Sequence, residues 1–218
     1  MKNIEIIKSN PLFKEIIEND LETMLSCLSA KQCFYNQNSF IFLTGESIHH
    51  IGIMMSGKII ITKEDGFGNR SIIAEVIPGE MFGEAFACSG IENSTVSVQA
   101  AADSVVLLID YKRIVTTCSS ACIFHTKLIE NMLAILAKKV LMLNQKIGIV
   151  SKRTTREKLM AYFEIQKDRA NSNKFTIPYN REELADFLFV DRSAMSRELC
   201  RMRDEGLIDF RKNRFEIL

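Results

Sequence analysis

The chain has 218 residues, 47% hydrophobic and 25% charged, with a formal net charge of +1. That length suffices for one sizeable core and a smaller second one, while the near-neutral balance excludes any argument for a partner from bulk charge alone. Lys2 is followed by no long apolar run and no stretch of 18 apolar residues occurs, so the expectation is a cytoplasmic protein with neither export signal nor membrane contact.

The first thirty residues place Leu12, Phe13, Ile16, Ile17, Leu21 and Leu25 at helical spacing, which predicts one or two helices packed against the segment that succeeds them. From about residue 31 to 110 the pattern turns to β. The runs Ser39–Leu43, Ile51–Met55, Lys58–Thr62, Ser71–Ile77 and Ser104–Ile109 are short and rich in β-branched residues. They are separated by Gly45-Glu46, Ser56-Gly57, the stretch Asp65 to Asn69, and Pro78-Gly79. Turns that regular imply a barrel or double-sheet roll. A metal enzyme on such a roll would need a His/Glu cluster inside it. Only His49 and His50 are available, and as neighbours on a strand they point to opposite faces. No enzyme activity and no metal site are expected.

Farther on, Ile129, Leu133, Leu136, Val140, Leu143, Ile147 and Val150 are spaced alternately four and three apart, with no proline between Phe124 and Val150. This spacing keeps all seven on one edge of an underwound helix. A stripe that narrow packs most economically against a copy of itself, which predicts a homodimer; an intramolecular bundle helix is the alternative. Lys139 and Lys146 flank the edge as solvated positions would, and Met132, Ile135 and Met142 widen it toward the domain the helix carries.

Residues 180–208 carry the most specific local pattern. Asn180 followed by Glu183 forms a capping box ahead of Leu184, Ala185 and Leu188, a buried stripe with a small residue at the point of close approach. Asp191 caps a second helix whose inward stripe is Met195, Leu199 and Met202, leaving Arg192, Ser193, Ser196 and Arg197 outward at its N-terminal end, and Gly206 stops it. Two helices so joined are the layout of a DNA-reading helix-turn-helix. Beyond them, residues alternate on both sides of Lys212-Asn213 as in a small hairpin, a wing whose Arg211, Lys212 and Arg214 can lie along phosphates. From Ser151 onward 15 Lys and Arg face 12 Asp and Glu, the sign a duplex would favour. A dimer of such readers fits a palindromic duplex.

Together these parts resemble the Crp/Fnr family of bacterial transcription regulators, named for the cyclic-AMP receptor protein and the fumarate-nitrate reductase regulator. The resemblance covers essentially the whole chain. It is carried by Pro78-Gly79-Glu80-Met81-Phe82-Gly83-Glu84, the glycines at 45, 57 and 68, the seam helix, and Val190 to Leu199. It implies an α+β fold: a β-roll (jelly-roll) effector-sensing domain over 1–110, a long dimerisation helix over 111–150, and a winged helix-turn-helix over 151–218. It also implies an effector between roll and helix, and RNA polymerase as a partner. The lining would come from Phe82, Glu84, Phe86, Ser94, Thr95, Leu128, Met132 and Ile135, any of which can instead be plain core.

Departures narrow the effector. Cyclic-nucleotide-binding members of the family place an arginine and a small hydroxyl residue about ten positions past the Gly-Glu pair. Here those positions are Ser94 and Thr95, and no Lys or Arg lies between Met81 and Val98. A buried phosphate would lack its counter-charge, so cyclic AMP is not expected, and the effector is an unidentified small molecule; a cyclic-nucleotide-responsive regulator is the alternative. Cys27, Cys33, Cys88, Cys118, Cys122 and Cys200 contain no Cys-x-x-Cys. The iron-sulfur arrangement of oxygen-sensing members is therefore missing, and free thiols are expected; a cysteine-based redox or metal sensor is the alternative, with Cys118 and Cys122 one turn apart. Phe189 opens the turn between the reader helices, where glycine is usual, which predicts strain offset by burial of the ring. Ser193 replaces the common glutamate between Arg192 and Arg197, which predicts an altered base preference there.

Overall fold

A computed structural model describes residues 4–67, 70–116 and 123–218. Gly68, Cys118 and Cys122 lie outside the described residues, so the expectations placed on them go no further. The chain forms two compact units, one ending at Leu136 and one running from Ala137 to Leu218.

In the first unit, helix α1 (Ile4–Ser9), a single 3-10 turn (Pro11–Phe13) and helix α2 (Glu18–Cys27) precede the sheets. Asn10 joins this segment to the roll. Its side-chain oxygen accepts from the Leu12 N–H at 2.9 Å, and its amide donates to the Gly79 carbonyl at 2.9 Å. Leu12, Phe13, Leu21 and Leu25 are buried as their spacing predicts. Ile17 is exposed instead, because it is the extended residue before α2 rather than part of a helical stripe.

Eight strands come next: β1 (Lys31–Tyr35), β2 (Phe40–Phe42), β3 (His50–Ser56), β4 (Ile59–Glu64), β5 (Arg70–Val76), β6 (Met81–Phe82), β7 (Ser97–Ala100) and β8 (Ser104–Asp110). They pair antiparallel in two sheets, ordered β1-β8-β3-β6 and β2-β7-β4-β5. Phe42, Met54, Ile59, Phe82, Val98 and Val106, drawn from both sheets, fill the space between them. Strand β3 has no free face. Ile51, Ile53 and Met55 pack with α1, α2, Leu128 and Met132, while Met54 packs into the roll. Gly52 lies where a side chain cannot: a Cβ there would come within 2.2 Å of the Phe82 ring. The sequence pattern does not reveal β1, β6 and β7, of which β6 has two residues and β1 is mostly exposed.

Helix α3 (Glu84–Ser89) interrupts the strands between Gly83 and Gly90, both left-handed. Helix α4 (Tyr111–Val115), capped by Asp110, closes the roll, and helix α5 (Ile123–Val150) is 28 residues long. The expected helical segment from 111 thus begins with a separate short helix.

The second unit contains the end of α5, then α6 (Thr155–Ala170), β9 (Lys174–Thr176), α7 (Arg181–Leu188), α8 (Arg192–Asp204), β10 (Ile208–Arg211) and β11 (Arg214–Ile217). Thr154 and Glu157 form a capping box at the start of α6. The wing is a sheet of three strands, β10-β11-β9; the three-residue β9 is too short to show as a pattern. Among the described residues no helix is long and apolar enough to cross a membrane.

Candidate nucleic-acid interface and sensor site

The two reader helices start where their caps dictate. The Asn180 side chain accepts from the N–H groups of Glu182 and Glu183 at 2.9 and 3.0 Å, and the Glu183 carboxylate accepts from the Asn180 N–H at 2.7 Å. The Asp191 carboxylate accepts from the Ala194 N–H at 2.7 Å. Leu184, Ala185, Leu188, Met195, Leu199 and Met202 are all buried, so Arg192, Ser193 and Arg197 are left exposed and Ser196 half-buried at the start of α8. Arg211 and Arg214 end the hairpin strands, Lys212 opens the two-residue turn at φ 57°, and all three side chains are exposed.

The turn between α7 and α8 departs from expectation. Phe189 is left-handed, at φ 52° and ψ 57°, as the missing glycine implied, but its ring is 70% exposed and not buried. Two lysines support the turn instead. The Lys158 ammonium donates to the carbonyls of Leu188 and Phe189 at 3.1 and 3.5 Å, placing a cation at the negative end of α7. Lys146 stands 4.9 Å from the Phe187 ring and 5.3 Å from the Phe189 ring, an attraction worth about 0.5–1 kcal/mol at exposed sites. Lys146 is therefore half-buried against the reader rather than solvated. Phe187 also packs on Tyr162 and Tyr179, with centroids 5.3 and 5.0 Å away. Burial raises the Tyr162 phenol above its ordinary pKa, and its hydroxyl has no hydrogen-bond partner among the described residues.

The wing is held by stacked guanidinium groups. Arg181, the first residue of α7, lies 4.8 and 5.0 Å from the rings of Phe210 and Phe215, and Arg203 lies 5.4 Å from Phe210. Desolvation lowers the Arg181 pKa from its ordinary value. Sequence reasoning has no access to these contacts, because the partners are about 7 to 34 positions apart and a cation–π pair carries no periodicity.

The sensor candidates divide between two cores. Phe82 is buried beneath Gly52 and 6.0 Å from the Phe42 ring, and Phe86 packs at the margin of the same roll interior. Leu128, Met132 and Ile135 belong to the other core, with α1 and α2. The Ser94 hydroxyl is buried and closes a local turn, donating to the Val96 carbonyl at 2.7 Å and accepting from its N–H at 3.1 Å, while Thr95 is exposed. Glu84 is buried at the first position of α3. Burial first, and the neighbouring Glu84 carboxylate second, push the Cys88 thiol up from its ordinary value. Cys27 and Cys33 are half-buried and Cys200 exposed, and among the described residues no three His, Cys, Asp or Glu side chains are grouped to hold a metal ion. His49 and His50 are exposed; His125 is buried, with Nε2 3.0 Å from the Arg113 carbonyl.

Along α5, Leu133, Val140, Leu143 and Ile147 are 62%, 54%, 61% and 59% exposed. Ile129, Leu136 and Val150 are half-buried. Met132 and Ile135 pack into the core of the first unit, on the side expected to face a domain, whereas Met142 is exposed.

A family model described as the cyclic nucleotide-binding domain matches residues 32–120, and one described as the Crp-like helix-turn-helix domain matches residues 157–218. The Cyclic AMP receptor protein of Thermus thermophilus is 23% identical over 205 residues, covering 93% of this chain and 89% of that one. The structure of the c-di-GMP responsive global regulator CLP of Xanthomonas campestris matches with a TM-score of 0.58 at 16% identity, covering 92% of this chain and 99% of that one. The Catabolite Activator Protein of Thermus thermophilus matches with a TM-score of 0.52 at 21% identity, covering 96% and 94%. Identities this low carry the fold and leave the ligand open. With a family model on each half, the chain belongs to the Crp/Fnr family of DNA-binding transcription regulators, which join a ligand-binding sensor domain to a helix-turn-helix.

Proposed function

We propose that the protein works as a homodimer that reads palindromic duplex DNA with two copies of α8 and responds to a small effector without a phosphate. The observation that carries the dimer is the exposed apolar stripe of α5: Leu133, Val140, Leu143 and Ile147 are each more than half exposed on a 28-residue helix. Packing against a copy removes that surface from water. A two-fold molecule then presents its recognition helices about 34 Å apart, in successive major grooves. Arg192 and Arg197 are assigned to base edges or phosphate, Ser193 and Ser196 to adjacent positions, and Arg211 and Lys212 to phosphates. A regulator so placed beside a promoter also contacts RNA polymerase.

The effector reading rests on the sensor's chemistry. No cation occurs between Met81 and Val98, and the Ser94 hydroxyl is already committed to Val96. Glu84, flanked in sequence by Phe82 and Phe86, suits a ligand that donates from a hydroxyl or amine; Leu128, Met132 and Ile135 would carry its effect along α5. Sedimentation at micromolar concentration and gel shifts on palindromic duplexes at rising salt test the first part. Dimers with steep salt dependence and a sequence preference are expected; monomers or sequence-blind binding would overturn it. Calorimetric titration with cyclic AMP tests the second: no heat of binding is expected, and saturable binding would overturn it.

A further inference from the structure

We propose that Arg156 of α6 sets the rotation of α8 about its own axis, and is thus a positioning residue for sequence reading; this rests on the assignment of α8 as the recognition helix. The Arg156 guanidinium donates from Nε to Glu198 at 2.5 Å and from its two terminal nitrogens to the two oxygens of Glu205 at 2.7 and 2.8 Å. Glu198 also receives Arg201 at 3.5 Å and has a side chain only 15% exposed. Glu198 and Glu205, the C-terminal cap residue of α8, are seven residues apart, two turns along one flank. By helical spacing that flank lies between the buried stripe of Met195, Leu199 and Met202 and the outward Arg197 and Arg201.

The apolar seat of α8 leaves a register problem that this clamp solves. Two of its three inward residues, Met195 and Met202, are methionines, unbranched side chains that adapt to a range of helix rotations. A rotation of about 20° moves a side-chain tip roughly 5–6 Å from the axis by about 2 Å, which is more than a bidentate base contact tolerates. A planar guanidinium bonded to two carboxylates two turns apart does not accommodate such a rotation. Arg156 is itself anchored, since it lies in the first turn of α6, whose start is fixed by the Thr154–Glu157 box. The pairs span 42 and 49 positions, so no local pattern announces them.

The test begins by enriching duplexes from a random library with the full-length protein. R156A and R156K are then compared with the unmodified protein on an enriched duplex and on a scrambled one, over a range of salt. Expected for R156A is about a tenfold loss on the enriched duplex only, with the scrambled-duplex affinity and the salt slope unchanged. R156K should recover little of it, because one ammonium cannot hold both carboxylates. Equal losses on both duplexes, no loss, or full rescue by R156K would overturn the proposal. Should R156A fail to fold, E205Q must show the same selective loss, about threefold, and a non-selective result there overturns it equally. Failure of the unmodified protein to enrich any sequence would instead overturn the DNA-reading assignment itself, and the clamp with it.

Discussion

The two units solve the problem of order differently. In the reader, the ends of α7 and α8 are set by residues within three positions of one another, Asn180 with Glu183 and Asp191 with Ala194. In the sensor, the decisive contacts are remote: Asn10 on Gly79, Phe82 on Gly52, and Asn131 donating to the carbonyls of Leu12 and Lys14 at 2.9 Å each. Local capping fixes where the reader helices begin, whereas the roll depends on matched shapes brought together from distant parts of the chain.

That contrast can be broken most forcefully in the sensor. Phe82→Ala should destabilise the sensor unit by about 3–5 kcal/mol, because the buried ring fills the space beside Gly52; calorimetric melting measures it, and the reader transition should move little. Next in size, Leu133→Asp with Leu143→Asp should yield monomers in sedimentation and weaken palindrome binding by about 100-fold, the loss of a tethered second half-site. Arg197→Ala should cost about 1–3 kcal/mol on a selected duplex in titrations, with a relaxed preference at one base pair. Within the reader, a double-mutant cycle of Lys146→Ala and Phe189→Ala should return about 0.5–1 kcal/mol of coupling in denaturant melts.

The smallest effect is on pH. Arg156 holds Glu205 below its ordinary value of 4.5, and hydrogen bonds from Thr154 do the same to Glu157. Folded carboxylates depressed in this way contribute stability that is present above 4.5 and lost as pH falls through their lowered values. Melting temperature should therefore fall below about pH 4.5, and the R156A variant should show less of that fall.

The reader is legible in the sequence because its signals are local: the capping boxes, the stripe of Leu184 to Leu188, the alternation around Lys212-Asn213 and even the awkward Phe189. The fate of the Phe189 ring is not, since the lysines beside it come from α5 and α6. In the sensor, apolar and β-branched runs reveal β2, β3, β4, β5 and β8 to within a residue or two, but β6, with two residues, is too short to carry a period. The pocket candidates derive from spacing past Gly83-Glu84 and from position on the long helix. Spacing cannot say that Phe82 and Met132 lie on opposite sides of one strand.

That strand is a party wall. β3 separates the chamber holding Met54 and Phe82 from the chamber holding Leu128 and Met132, and it is a single layer of backbone thick. Whatever repacks the furniture of the first room leans on the partition, and the long helix, furnished into the second, is one strand away from the push.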